Sequence, residues 1–392
     1  MESFKKLVKN NLRQYTMLIA LIFLMIIFQI STGGILFVPM NITNLILQNA
    51  YVFILAIGMM LLLINGGNID MSVGSVLAFI GAILGIMLIQ NHAPLWLAIV
   101  VALLIGLGIG IWQGFWVGYY RMPGFLVTLA GQLIFRGLTT RVLDGMTLAP
   151  FDKSFQYISS GFVPDMFKFT GSSVNITAYL VGAVIAVLII IMQFRNRATK
   201  AKYTSNILSA PLFTIKLVLI AAVIMLLSYF FASYEGIPII FIIIVALVVA
   251  YSLFTSKTVP GRYIYAMGGN ERAAKLSGIN TNKVLFLCYV NMGVLTAVAA
   301  IASTARLNAA SPLAGQGFDL DAISSCFIGG ASMYGGAGTV VGAIIGALFM
   351  GVLNNGMSIM GIGTDIQQVV KGLVLIFAVA FDIYSKSRAK AK

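Results

Sequence analysis

The residues of this sequence that could do chemistry are few, and they cluster. Among 392 residues there are 11 acids, one histidine and two cysteines. Two stretches set acids against serine, asparagine and glycine inside otherwise apolar sequence. The first, NGGNIDMSVG, places Asn65, Asn68, Asp70 and Ser72 between two long apolar runs. The second, GFDLDAISS from Gly317 to Ser325, again sets an aspartate after an apolar residue and supplies Asp321, Ser324 and Ser325. Metal or disulfide chemistry is not expected, because Cys288 and Cys326 have no C-x-x-C or histidine pairing and His92 stands alone in the polar link QNHAP. What remains is hydrogen bonding, and two readings of NGGNIDMSVG stand side by side. One is a tight turn in which glycine lets the backbone reverse or helices approach. The other is the lining of a polar passage, because an ionisable group beside a membrane segment faces a cavity or a partner and unwound backbone is tolerated there.

The elements that must position these residues follow from composition. With 60% hydrophobic residues, 9% charged residues and a mean hydropathy of +0.99, the chain contains run after run long enough to cross a bilayer, which takes about 20 residues. The runs are continuously apolar, not alternating, so the fold class is all-α, a polytopic transmembrane helical bundle. The net charge of +14 does not indicate nucleic acid. Its cations gather at Lys5, Lys6, Lys9 and Arg13, in RNRATKAK (Arg195 to Lys202), around Lys257 to Lys283, and in the C-terminal KSRAKAK, the bias of cytoplasmic loops. Both termini are therefore expected in the cytoplasm and the number of crossings even. The first apolar run is read as a retained helix, since no small-residue cleavage site follows it.

Spans are expected over 15–34, 45–65, 73–90, 95–118, 123–141, 175–194, 217–232, 238–254, 284–304, 320–334, 339–355 and 366–384. Twelve is the expected count and ten the fallback, with 320–334 crossing as a broken helix. Residues 1–392 form a single transmembrane domain with an extracytoplasmic cap over 143–173, a basic cytoplasmic loop over 195–216 and a second cytoplasmic loop over 256–283. The Asp-Ser-Gly theme shared by the two stretches reads as an internal duplication with interrupted helices at matching positions. In that reading Asp70 and Asp321 act as acceptors that hold glycine-flanked backbone, so that asparagine is a milder replacement than alanine.

The loop over 256–283 is too polar for the bilayer and too orderly for a linker. Within it, GGN precedes the helix-forming ERAAKLSG, with Glu271 in the first turn and Gly278 as the stop. A helix this short is marginal unless it packs on something, and its small apolar face (Ala273, Ala274, Leu276) is modest for a membrane anchor. A soluble partner would supply the packing.

Four blocks, taken in order, carry a resemblance: GGNIDMSVGSV, GRYIYAMGGNERAAKLSGIN, DLDAISSCFIGGASMYGGAGTVVGAIIGAL and QVVKGLVLIFAVAFD. Over nearly the whole chain the sequence resembles the membrane subunits of ABC sugar importers of the ribose, xylose and galactoside class, and in length the xylose or multiple-monosaccharide branch. It departs from the shorter members by an extra pair of spans around 195–235. The resemblance implies a permease of the bacterial cytoplasmic membrane with no cofactor and no reaction of its own. Its implied partners are a second copy of the chain, an extracytoplasmic sugar-binding protein, a monosaccharide, and a cytoplasmic ATPase with two fused nucleotide-binding domains that uses ATP and Mg. Consistent with this, the chain has no G-x-x-x-x-G-K-[ST] phosphate loop. By the same resemblance Gly261, Arg262, Gly268, Gly269, Asn270, Glu271, Arg272, Ala273, Ala274 and Gly278 form the ATPase-coupling element, and Asn65, Asn68, Asp70, Ser72, Asp321, Ser324 and Ser325 line the translocation path. The alternative is an ion-coupled secondary transporter of a small polar solute, using Asp70, Asp321 or Lys371.

Overall fold

The computed structural model describes residues 12–167, 174–203 and 209–390. Lys5, Lys6, Lys9, residues 168–173 of the cap, residues 204–208 of the basic loop and the last two residues lie outside that set. The described chain forms α1 (Leu12–Ser31), α2 (Pro39–Gln48), α3 (Ala50–Ile64), α4 (Val73–Gly85, extended by a wider turn to Gln90), α5 (Leu95–Gly118), α6 (Gly124–Val142), α7 (Lys153–Ser160) and α8 (Ile176–Tyr203). It continues through α9 (Ala210–Ala232), α10 (Ile239–Lys257), α11 (Val259–Gly269), α12 (Glu271–Leu276), α13 (Thr281–Leu307), α14 (Phe318–Ile328), α15 (Val340–Ile359) and α16 (Thr364–Lys390).

Each expected span falls on a helix, but the expected count does not follow from helix length. Among the described residues, seven helices are long and apolar enough to cross a membrane, or up to eight if α2 and α3, bent by 46° at Asn49, count as one span. At 320–334, expected as a broken helix, the helix ends at Ile328 after eleven residues, only about 16 Å at 1.5 Å per residue, and glycines at positive φ (Gly330, Gly335, Gly336, Gly338) carry the chain on to α15. Two other expected loops carry more helix than foreseen, the second holding α11 beside the expected short helix at Glu271. Arg195–Lys202 continues α8 to Tyr203, since Arg, Lys and Ala are all strong helix formers. The 256–283 loop holds two helices, because Thr258 caps the Gly261 N–H and Pro260 occupies the first turn of α11.

The sequence AYVFILAIGMMLLLI is apolar on every face, and α3 is accordingly buried on every face at the centre of the bundle. Against it α13 runs antiparallel: Asn65 Nδ2 donates to Cys288 Sγ at 3.3 Å, and Gly58 packs on Met292 and Leu295. The opposite side of α13 receives α5, whose glycines at four-residue spacing (Gly106, Gly110, Gly114, Gly118) bring the two backbones together. By contrast α8 and α9 pack chiefly on each other and present exposed Val184, Leu188, Leu219 and Val223. In the cap, Asp165 accepts the N–H groups of Ile176 and Thr177 at the start of α8 and the Thr177 hydroxyl. These bonds, the Thr177 hydroxyl foremost, hold its carboxyl below the usual carboxylate range.

Candidate functional site

The two acid-bearing stretches begin two helices that meet at their starts. The chain runs alongside α13 in α4, with Tyr289 donating to the Ile69 carbonyl at 3.3 Å and Gly81 resting on Thr304. It runs alongside α3 in α14, with Tyr51 bonded to Asp321 and Cys326 Sγ donating to the Ala56 carbonyl at 3.3 Å. Since α3 and α13 are antiparallel, α4 and α14 run in opposite directions. Their starts touch backbone to backbone: a Cβ on Gly74 would lie 2.1 Å from the Gly315 carbonyl oxygen, and one on Gly315 2.1 Å from that of Gly74. The contact falls between the levels of Tyr289 and Thr304, around the middle of α13. Only glycine allows it.

At the start of α4, Asp70 is buried and its Oδ1 accepts the Ser72 N–H at 2.8 Å and the Ser72 hydroxyl at 2.6 Å. Gln113 on α5 donates to the same hydroxyl at 2.6 Å. Asn65 is buried and Asn68 half-buried, with Asn68 Nδ2 bonded to the Asn65 carbonyl at 2.8 Å. The carboxylate of this turn holds its own backbone, and Gln113 ties the turn to α5 through the Ser72 hydroxyl.

The start of α14 is wired differently. Asp321 is 0% exposed and pairs with Lys371 of α16, 16% exposed, at 3.0 Å to both carboxylate oxygens. Tyr51 of α3 donates to Asp321 Oδ2 at 2.7 Å and Asn354 of α15 at 3.4 Å. The ring of Tyr51 stacks on Phe318 at 3.5 Å. Ser325 Oγ donates to the Asp321 carbonyl at 2.6 Å, while the Ser324 hydroxyl is buried without a hydrogen-bond partner. Asp319, also buried in the first turn, lies within Coulombic reach of Asp70 and of Arg136. The guanidinium of Arg136 also holds the Pro312 and Ala314 carbonyls, each at 2.7 Å.

The third group, on α11 and α12, lies against the first. A cavity of about 420 Å³ is lined by Asn65, Gly66 and Asn68 on one side and by Gly268, Gly269, Asn270 and Glu271 on the other. Gly268 is pressed on the end of α3, where a Cβ would sit 1.7 Å from the Ile64 carbonyl oxygen. The same carbonyl accepts the Gly336 N–H at 2.8 Å, and Gly67 abuts the Met333 carbonyl. The polar links 65–72 and 329–339 thus share one backbone junction with α11. Asn270 caps α12 through the Ala273 N–H at 3.0 Å, Gly278 ends it at φ +84, Ala274 is buried, and Arg262, Arg272 and Ala273 are exposed. Glu271 does not face outward freely; it is ion-paired to Arg121 of the α5–α6 link. Arg121 also donates to Thr281 at 2.7 Å and Asn282 at 2.9 Å.

Sequence reasoning missed Arg121, Gln113, Asp319 and Tyr51, and connected Lys371 only with an ion-coupled alternative. Gln113 and Lys371 carried a signal, since each is a lone strongly polar residue in an apolar run. Tyr51 carried none.

Comparisons with known proteins cover the chain almost end to end. Residues 41–379 match the family described as branched-chain amino acid transport system / permease component. The xylose transport system permease protein XylH of Haemophilus influenzae is 36% identical over 98% of this chain and 99% of its own. That of Escherichia coli is 34% identical over 98% and 95%, and the ribose import permease protein RbsC of Bacillus subtilis 34% over 88% and 85%. No solved structure matches the chain.

Proposed function

The chain belongs to the branched-chain amino acid transport system / permease component family, a multi-pass permease of the inner membrane and not an enzyme, and from that premise we propose that it imports a monosaccharide driven by ATP hydrolysed on a separate subunit. Similarity to permeases named for xylose and ribose supports the cargo class, with xylose or a related pentose or hexose as the substrate. In this reading two copies of the chain form the path, an extracytoplasmic binding protein delivers the sugar, and a cytoplasmic ATPase with two fused nucleotide-binding domains, using ATP and Mg, docks on α12. Both termini then lie in the cytoplasm, on the side of α11 and α12.

The observation that carries the proposal is the junction of α11 with links 65–72 and 329–339. A force applied to α12 reaches the ends of α3 and α14 through backbone contacts, without flexible side chains between. The test is reconstitution of the permease with the ATPase and binding protein of a sugar import system from the same organism, followed by uptake of radiolabelled xylose and ribose. Uptake should need ATP and stop with vanadate. Uptake that persists without ATP and follows an ion gradient would replace this reading with a secondary transporter.

A further inference from the structure

A second cavity, unrelated to the polar links, opens between α10, α11 and α13 and encloses about 300 Å³. Its wall is apolar: Leu61 at the end of α3, Ala250 and Phe254 on α10, Ile264 on α11, and Leu287 and Cys288 on α13. Leu287, which lines it, is about half exposed, so the cavity opens at the outer surface of the bundle. The volume is at the small end of ligand pockets, roughly 300–1,000 Å³, and suits part of a flexible chain.

The same two helices carry cations just beyond it. On α10, Lys257 follows Phe254 by three residues, and on α13 Lys283 precedes Leu287 by four, so each lysine continues the stripe that lines the cavity. Both are exposed, as is Arg262 on α11. Among the described residues none of the three has an acidic partner within ion-pair distance. Polar groups also wait in the wall: Tyr251 bonds Asn291, whose Nδ2 is buried without a partner. An apolar slot open to lipid, with unpaired cations one turn past its end at the membrane surface, matches a molecule that is apolar at one end and anionic at the other. We propose that this cavity binds an anionic phospholipid of the surrounding leaflet, with acyl chain between α10 and α13 and phosphate held by Lys257 and Lys283. A lipid seated there also bears on α11, since Ile264 of the wall and Gly268 of the junction share that helix.

Native mass spectrometry of the full-length purified protein, titrated separately with phosphatidylglycerol and phosphatidylcholine, tests this without reference to transport. Phosphatidylglycerol should be retained more strongly, and Lys257→Ala and Lys283→Ala should each weaken it about fivefold with phosphatidylcholine unchanged. The Lys257→Arg, Lys283→Arg double variant should retain it. Ala250→Phe, which fills the slot, should weaken both lipids without lowering the unfolding temperature. Equal retention of the two lipids by the native chain, or undiminished phosphatidylglycerol in the double alanine variant, overturns the proposal.

Discussion

The two helices that meet at Gly74 and Gly315 begin with aspartates of similar sequence setting and different wiring. Asp70 is bonded within two residues, to the backbone and hydroxyl of Ser72. Asp321 is bonded across 270, 33 and 50 residues, to Tyr51, Asn354 and Lys371. The first carboxylate shapes a turn, and the second ties α3, α14, α15 and α16 into one body. Position at the start of a helix therefore does not assign a role. The partners do.

The largest expected effect tests that tie. Lys371→Ala leaves Asp321 buried and unpaired, which should cost about 3–5 kcal/mol, read as a lowered unfolding temperature of the purified protein. Asp321→Asn should be nearly as damaging, contrary to the mildness expected from sequence, because an amide cannot neutralise the ammonium. Combining Asp321→Asn with Lys371→Met should recover much of the loss. Native-like unfolding of the Lys371→Ala protein would reduce the Asp321 region to the same local role as Asp70.

At Asp70 the alanine variant loses two hydrogen bonds to a charged acceptor, each about 1.5–3 kcal/mol, confined to the link. Sugar uptake at equal surface expression should fall more than unfolding temperature does, and Asp70→Asn, which keeps an acceptor oxygen, should restore a large part. Identical loss from Ala and Asn would show that charge, not acceptance, matters there.

Gly268→Ala asks whether the Asp70 link is as local as its hydrogen bonds. The added methyl would press on the Ile64 carbonyl, and overpacking of this kind costs about 1–3 kcal/mol. ATP-driven uptake should drop sharply, whereas the neighbouring Gly269→Ala, with open space around it, should stay within about 0.5 kcal/mol. Equal behaviour of the two would remove the junction from the mechanism. A small effect belongs to the coupling of Arg121 with Glu271. The two side chains are 38% and 45% exposed, so the coupling read from a double-mutant cycle of Arg121→Ala and Glu271→Ala should be about 0.2–1 kcal/mol.

The helical bundle was legible because bilayer solvation leaves little choice: apolar runs must be helices, and every expected span falls on one. Asn65, Asp70 and Ser72 were legible as a group because their bonds are local, and spacing reports local bonds. That the 65–72 and 268–271 residues lie together was not legible, since the cavity lined by Asn68 and Glu271 brings residues about 200 positions apart together. The short, polar SSCFIGGASMY was expected to cross as a broken helix because the count had to be even; where the break falls, at Ile328, was not legible, since it depends on glycines taking the positive φ values that end α14.

The sequence by itself determined the membrane class and which apolar segments are helical, and it marked Asn65–Ser72 as a polar group with a turn and a path lining both open; these depend on interactions within a few residues or on contact with lipid. Only the tertiary structure decided that α4 and α14 meet head to head, that Asp321 belongs to Lys371 and Tyr51, and that Glu271 is held by Arg121. Those pairings depend on which helices lie side by side, and side chains from distant segments register against one another only once the backbones have packed.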